Sequence, residues 1–199
     1  MQIGFEGLII LSAVLLISYL TYNTFFDDNL EAVKSTVDNR EYYVQADKED
    51  AKEAANLIAE IRRRLIMLVE HFVKAYPSDD SRVILLKQNF DPNVLKEGVD
   101  NSGYTSYSIN KGEQIILCLR SKNKLMDINV MMFVAIHELA HLANETVGHD
   151  AKFWDTFKTL LLEAINIGVY VNHDFDKQPV EYCGMTINSN PLDANAKMI

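Results

Sequence analysis

The chain has 199 residues, a formal net charge of −9, 48% apolar residues and 24% charged ones. This composition excludes a chain that is disordered throughout, and the length allows one domain with a real core plus an appendage. The acidic balance, with one basic cluster (Arg62-Arg63-Arg64) inside a helical pattern, argues against a nucleic-acid partner, because phosphate backbones are read by clustered Lys and Arg.

The first element is GLIILSAVLLISYLTYNTFF, Gly7 to Phe26, which no charge interrupts. A helix of about 20 residues spans the roughly 30 Å hydrocarbon core of a bilayer. Tyr19 and Tyr22 suit its interfacial end. The preceding MQIGFE has no Lys or Arg and carries Glu6, and no small-x-small cleavage site follows, so the run is read as a retained transmembrane anchor, residues 1–26. Asp27, Asp28 and Glu31 leave the positive-inside rule little to weigh. Residues 27–45 are polar and mixed, and read as a juxtamembrane linker.

A domain is expected over residues 46–187. It opens with a helix from Asp47, the candidate N-cap, to Ala75. Ala54, Ile58, Ile61, Leu65, Leu68 and Phe72 form one stripe of that helix, and Tyr76-Pro77-Ser78 stops it. Arg62 to Arg64 read as its solvated face, and His71, off the stripe, as a surface residue. Ser78 to Glu97 suggests a short helix and a loop. Thr105 to Arg120 reads as two strands joined at Asn110-Lys111-Gly112, with Ile115, Leu117 and Leu119 on one side and Ile116, Cys118 and Arg120 on the other. That hairpin could offer an edge strand to an extended peptide. Asp127 caps a helix from Ile128 to Asn144. Asp150 caps another from Ala151 to Ile167, ended by Gly168. Val169 to Ile187 suggests short strands, and residues 188–199 a loose tail. Cys118 and Cys183 are expected as free thiols, which would put the domain on the cytosolic side.

The chemistry concentrates in VAIHELAHLANETVGHDAKFW, Val134 to Trp154. His137 and His141, at i and i+4, project from one helix face and can bind one metal. Glu138 between them stands where it can reach a metal-bound water without ligating the metal, the general-base position of H-E-x-x-H. Zinc is the default ion, since it accepts imidazole and keeps an open position when three protein ligands bind. The flanking Val134, Ala135, Leu139, Ala140, Leu142 and Ala143 are uncharged, as a buried metal-bearing helix requires. Two residues compete as third ligand. His149 follows a turn at Val147-Gly148 that can swing its imidazole back, and this favours it. Glu163 lies 22 residues after His141 on the next helix. Tyr170, His173 and Tyr182 are candidates for a second electrophile.

HELAH followed by GHDAKFW resembles the minimal zinc metallopeptidases of the SprT and WLM type and the compact YgjP-like group, and ILCLR with PVEYCGM is similar to a membrane-anchored branch of them. The resemblance covers about Tyr104 to Met185. The gap from His141 to His149 is longer than in many of those relatives. The resemblance implies an α+β zincin-like fold, zinc on His137, His141 and His149, Glu138 as general base, and Phe153 and Trp154 as packing residues. The expected function is that of a zinc metalloprotease hydrolysing peptide bonds of a peptide or protein substrate near a membrane. The alternative is a non-catalytic, zinc-stabilised, membrane-anchored domain that binds protein partners.

Overall fold

Ala54, Ile58, Ile61, Leu65, Leu68 and Phe72 form a fully buried stripe along α1 (Ala51–Ala75) in the computed structural model, which describes residues 12–16, 30–99 and 105–192. The helix starts later than Asp47. Asp50 holds the cap position, but its carboxylate accepts from Arg120 Nη2 at 2.7 Å instead of capping. At the other end Tyr76 turns extended ahead of Pro77, whose ring disfavours a helical residue before it.

Residues 30–45, expected as linker, form a hairpin instead. β1 (Leu30–Lys34) pairs antiparallel with β2 (Glu41–Gln45). In β2, Tyr42 and Val44 are buried while Glu41 and Tyr43 are exposed, the period-2 pattern of a strand with one face on a core. The exposed charges disguised that alternation. Asn56 Oδ1 on α1 accepts from Ser35 Oγ and from Thr36 N–H. The arginines are not a plain solvated face either. Arg62 Nε donates to Pro92 O and its guanidinium lies 4.0 Å from Asp38, while Arg64 donates to Glu60 and to Val169 O.

After α2 (Ser81–Asn89), capped by Asp80, comes a three-stranded sheet in the order β3-β5-β4. β3 (Leu95–Glu97) runs parallel to β5 (Gln114–Leu117), and β4 (Tyr107–Ile109) runs antiparallel to it, on the edge of this sheet. Asn110, Lys111 and Gly112 all take positive φ in the turn. A Cβ on Gly112 would stand 2.1 Å from Asn89 O, so the turn needs a glycine for space as well as for conformation. Ile115, Ile116, Leu117, Leu119 and Arg120 are all buried, so both faces of this strand are covered. Beneath it Gln45 N–H donates to Glu97, and Glu97 forms an ion pair with Arg120 in the interior.

A short pair, β6 (Arg120–Ser121) and β7 (Lys124–Leu125), leads to α3 (Ile128–Leu142), capped by Asp127 accepting from Asn129 N–H. α3 is apolar on nearly every side and packs against α1, α2, β4 and α4 (Ala151–Asn166), the core of this α+β domain. At the end of α4, Gly168 takes φ 72° and Ala164 O accepts from the N–H groups of Val169 and Tyr170. A final hairpin pairs β8 (Val180–Tyr182) with β9 (Met185–Ile187).

Two further expectations are corrected. Cys118 and Cys183 form a disulfide, with Cα atoms 6.4 Å apart. The first follows β5 and the second sits in the β8–β9 turn, a proximity that 65 residues of intervening chain conceal. The free-thiol argument for a cytosolic domain falls with it. The tail is anchored at its start: Asn190 is buried, its side chain donating to Asn172 Oδ1 and His173 O, and Leu192 packs on the core. Residues 193–199 lie outside the described residues. So does most of the expected anchor. Residues 12–16 of it are helical and exposed, and no helix among the described residues is long and apolar enough to cross a membrane.

Candidate metal centre

His137 and His141 lie one turn apart on α3, and the loop after it returns His149 to the same point. The three Nε2 atoms form a near-equilateral triangle: His137–His141 3.2 Å, His137–His149 3.0 Å and His141–His149 3.2 Å. Nitrogens held about 2.0–2.1 Å from a tetrahedral zinc would be roughly 3.3 Å apart, so the triangle has the size such an ion needs.

The returning loop is held at several points. Gly148 takes φ 96°. Asn144 Nδ2 donates to Thr146 Oγ1, which donates to Asp150 Oδ2 at 2.6 Å. Asp150 in turn caps α4 through Phe153 N–H. From the strand turn, Lys111 Nζ donates to the carbonyls of Asn144 and Glu145. Phe153 then packs against all three imidazoles, with ring centroids 4.9, 4.4 and 4.6 Å from those of His137, His141 and His149. Burial pushes His137 down to about 3 and His141 to about 4, neighbouring imidazoles adding to the effect, and burial lowers His149 as well. All three are neutral at pH 7, the form with a lone pair to give. Among the described residues, the group of His, Cys, Asp and Glu side chains that could hold a metal comprises these three histidines.

Glu138 is 5% exposed. Burial raises it to about 7, against the pull of Ser108, whose hydroxyl and backbone N–H donate to the carboxylate. Ser108 belongs to the edge strand β4. Its neighbour Ser106 accepts from Cys118 N–H and lies 2.5 Å from the Tyr182 hydroxyl. Of the three candidate electrophiles, Tyr182 lines the cleft with Glu138. Tyr170 is buried against Phe133, and His173 meets Gln178 O. Glu163 is elsewhere: it accepts from the Tyr76 hydroxyl and lies 2.8 Å from His71 Nε2, between α4 and α1. His71, expected on the surface, is the partner that holds it there.

The cleft over the triangle has a volume of 830 Å³. Its lining includes residues whose role the sequence did not suggest, among them Ser106, Ser108, Lys111 and Thr146. The one local signal was the alternation of short hydroxyl side chains in TSYS, ahead of the turn.

An α+β domain with H-E-x-x-H on its central helix and a third histidine returned by the next loop has the form of a metal-binding domain. The chain belongs to the WLM domain family, which matches residues 37–197. Among its relatives is protein R325 of Acanthamoeba polyphaga mimivirus, 30% identical over 189 residues, covering 92% of this chain and 94% of the relative. Protein 136R of Invertebrate iridescent virus 6 is 28% identical over 160 residues, 76% of this chain and 84% of the relative. Among solved structures, Wss1 from Saccharomyces cerevisiae aligns with a TM-score of 0.46 and 24% identity, over 63% of this chain and 88% of that one.

Proposed function

We propose that this chain is a zinc-dependent peptidase, with His137, His141 and His149 holding the metal. The observation that carries the reading is the triangle of neutral imidazole nitrogens, 3.0–3.2 Å on a side, beside the buried carboxyl of Glu138. The donor set suits zinc, and three protein ligands leave a position open, as catalytic sites do and closed structural sites do not. Zinc in such a site supplies Lewis acidity towards a carbonyl oxygen and a lowered pKa for water.

Glu138 does the proton work. Held near neutrality by burial, its carboxyl accepts the proton of the attacking water and delivers it to the leaving amine. The two donors of Ser108 orient that carboxylate and tie it to β4. β4 is an edge strand that lines the cleft, so an extended peptide would lie along it with its scissile carbonyl near Glu138. Tyr182 stands in the same cleft, where its hydroxyl can meet the developing oxyanion. The uncharged run from Gly7 to Phe26 is the anchor that keeps this activity near a membrane.

The test is Glu138→Gln in the zinc-loaded chain. The variant should keep one equivalent of zinc and cleave a peptide at least about 100-fold more slowly. Wild-type rates in that variant would rule the mechanism out. Zinc content without cleavage by either form would favour the non-catalytic, protein-binding alternative.

A further inference from the structure

The reactive groups occupy only part of the cleft. The rest mixes hydroxyl and amide side chains with an apolar wall, and several side chains of that wall are open to solvent. Phe157 lies against His137 with ring centroids 5.2 Å apart, and Phe133 continues that floor 5.2 Å from Phe157. Trp154, one turn earlier on α4, stands 5.6 Å from the His149 ring. Val147 in the returning loop is 93% exposed and Met185 on β9 is 48% exposed, and both line the cleft with Ile187. Apolar side chains gathered at one opening, from a loop, a helix and a hairpin, mark a surface that receives something apolar.

Charge points the same way. Histidines and tyrosines aside, the described residues of the lining carry two ionisable groups of opposite sign, Lys111 and Glu138. Lys111 Nζ is committed to the Asn144 and Glu145 carbonyls, and Glu138 to Ser108. A charged side chain entering this cleft would give up water without gaining a counter-ion.

We infer that the cleft selects peptides with a bulky apolar side chain beside the scissile bond, and that Trp154, Val147 and Met185 set this selectivity. The inference rests on the peptidase reading for the words "scissile bond", but the recognition itself needs no turnover. Trp154 is the chain's single tryptophan, so its emission reports directly on occupancy of this wall.

The experiment uses the full zinc-loaded chain carrying Glu138→Gln, so that nothing is consumed. It is titrated with blocked, water-soluble peptides that differ at one central residue: Leu, Phe, Lys or Glu. Trp154 emission should shift saturably with the Leu and Phe peptides, at affinities at least about 10-fold tighter than for Lys or Glu. Adding Met185→Lys, at an exposed position, should weaken Leu binding at least 5-fold without moving the melting temperature, and Val147→Lys should act alike. Equal affinities across the set would overturn the inference, as would a preference indifferent to both Lys variants, or emission that no peptide moves. If the Leu peptide binds selectively but the wild-type chain cleaves none of the set, the peptidase reading fails and the apolar recognition stands.

Discussion

Cys118 and Cys183 are joined across 65 residues, tying the end of β5 to the turn between β8 and β9. The next residue back, Tyr182, meets Ser106 at the edge of the cleft, so the bond secures a hairpin that forms part of the cleft wall. Two strands alone are marginal, and this tether adds to their packing. Closing a loop of that length restricts the unfolded chain by about 4 kcal/mol. Cys118→Ser with Cys183→Ser should lose an amount of that order in urea unfolding, and the wild type should match the double variant once reduced. Two thiols titrating in the denatured, unreduced chain would contradict the pairing.

Among the described residues, Arg120 and Glu97 form the most buried ion pair, with side chains 1% and 0% exposed. Removing one partner leaves a charge in the interior, at a cost of about 3–5 kcal/mol. Arg120→Met should therefore destabilise by that much. Adding Glu97→Gln should recover a large part, and a double variant as unstable as the single one would mean that the pair is not what Arg120 supplies.

If the triangle is the metal site, His149 matters to the metal and Glu163 does not. His149→Ala should weaken zinc binding at least about 100-fold by titration calorimetry, exceeding the usual cost of losing a group that only supports a ligand. Glu163→Ala should leave zinc affinity unchanged. It should instead lower stability by about 1–2 kcal/mol, because His71 and Tyr76 lose their common acceptor. Loss of zinc in Glu163→Ala would reverse the assignment.

The metal-free chain should lose stability as the pH falls from 6 to 5. His137 and His141 are lowered to about 3 and about 4, so they stay neutral in the folded chain and gain protons on unfolding below 6.5. That favours the unfolded state at low pH, and His149, shifted the same way, adds to it. Glu138 opposes: raised to about 7 from an ordinary 4.5, it holds a proton when folded and releases it on unfolding in this window. Two deep histidines against one carboxyl leave a net of about one proton, or about 1.4 kcal/mol per pH unit. Glu138→Gln removes the opposing group and should steepen the slope to about 2.7 kcal/mol per unit. Urea unfolding at pH 6 and pH 5 in chelator measures both, and stability that rises on acidification would be the contrary result.

Much of the local structure was legible because it is written in short-range physics. The stripe of α1, the Asp127 and Asp150 caps, the glycine end of α4 and the positive-φ turn at Asn110 to Gly112 each depend on residues a few positions apart. The β1–β2 hairpin was not legible, since Glu31, Lys34 and Glu41 dilute a one-faced strand until α1 is present to bury Tyr42 and Val44.

The sequence by itself determined that His137 and His141 share a helix face with Glu138 between them, because a spacing of four residues is one turn of any helix. It also supplied a flexible Gly148 next to a third histidine. Only the tertiary structure decided which distant group arrives. His149 is held at the triangle by Asn144, Thr146, Asp150 and Lys111, the last contributed by a strand turn more than thirty residues earlier. Glu163 is kept away by His71, 92 residues upstream on another helix. The disulfide and the apolar cleft wall are of the same kind. Each depends on closures across long stretches of chain, and a pattern of neighbours carries no record of such contacts.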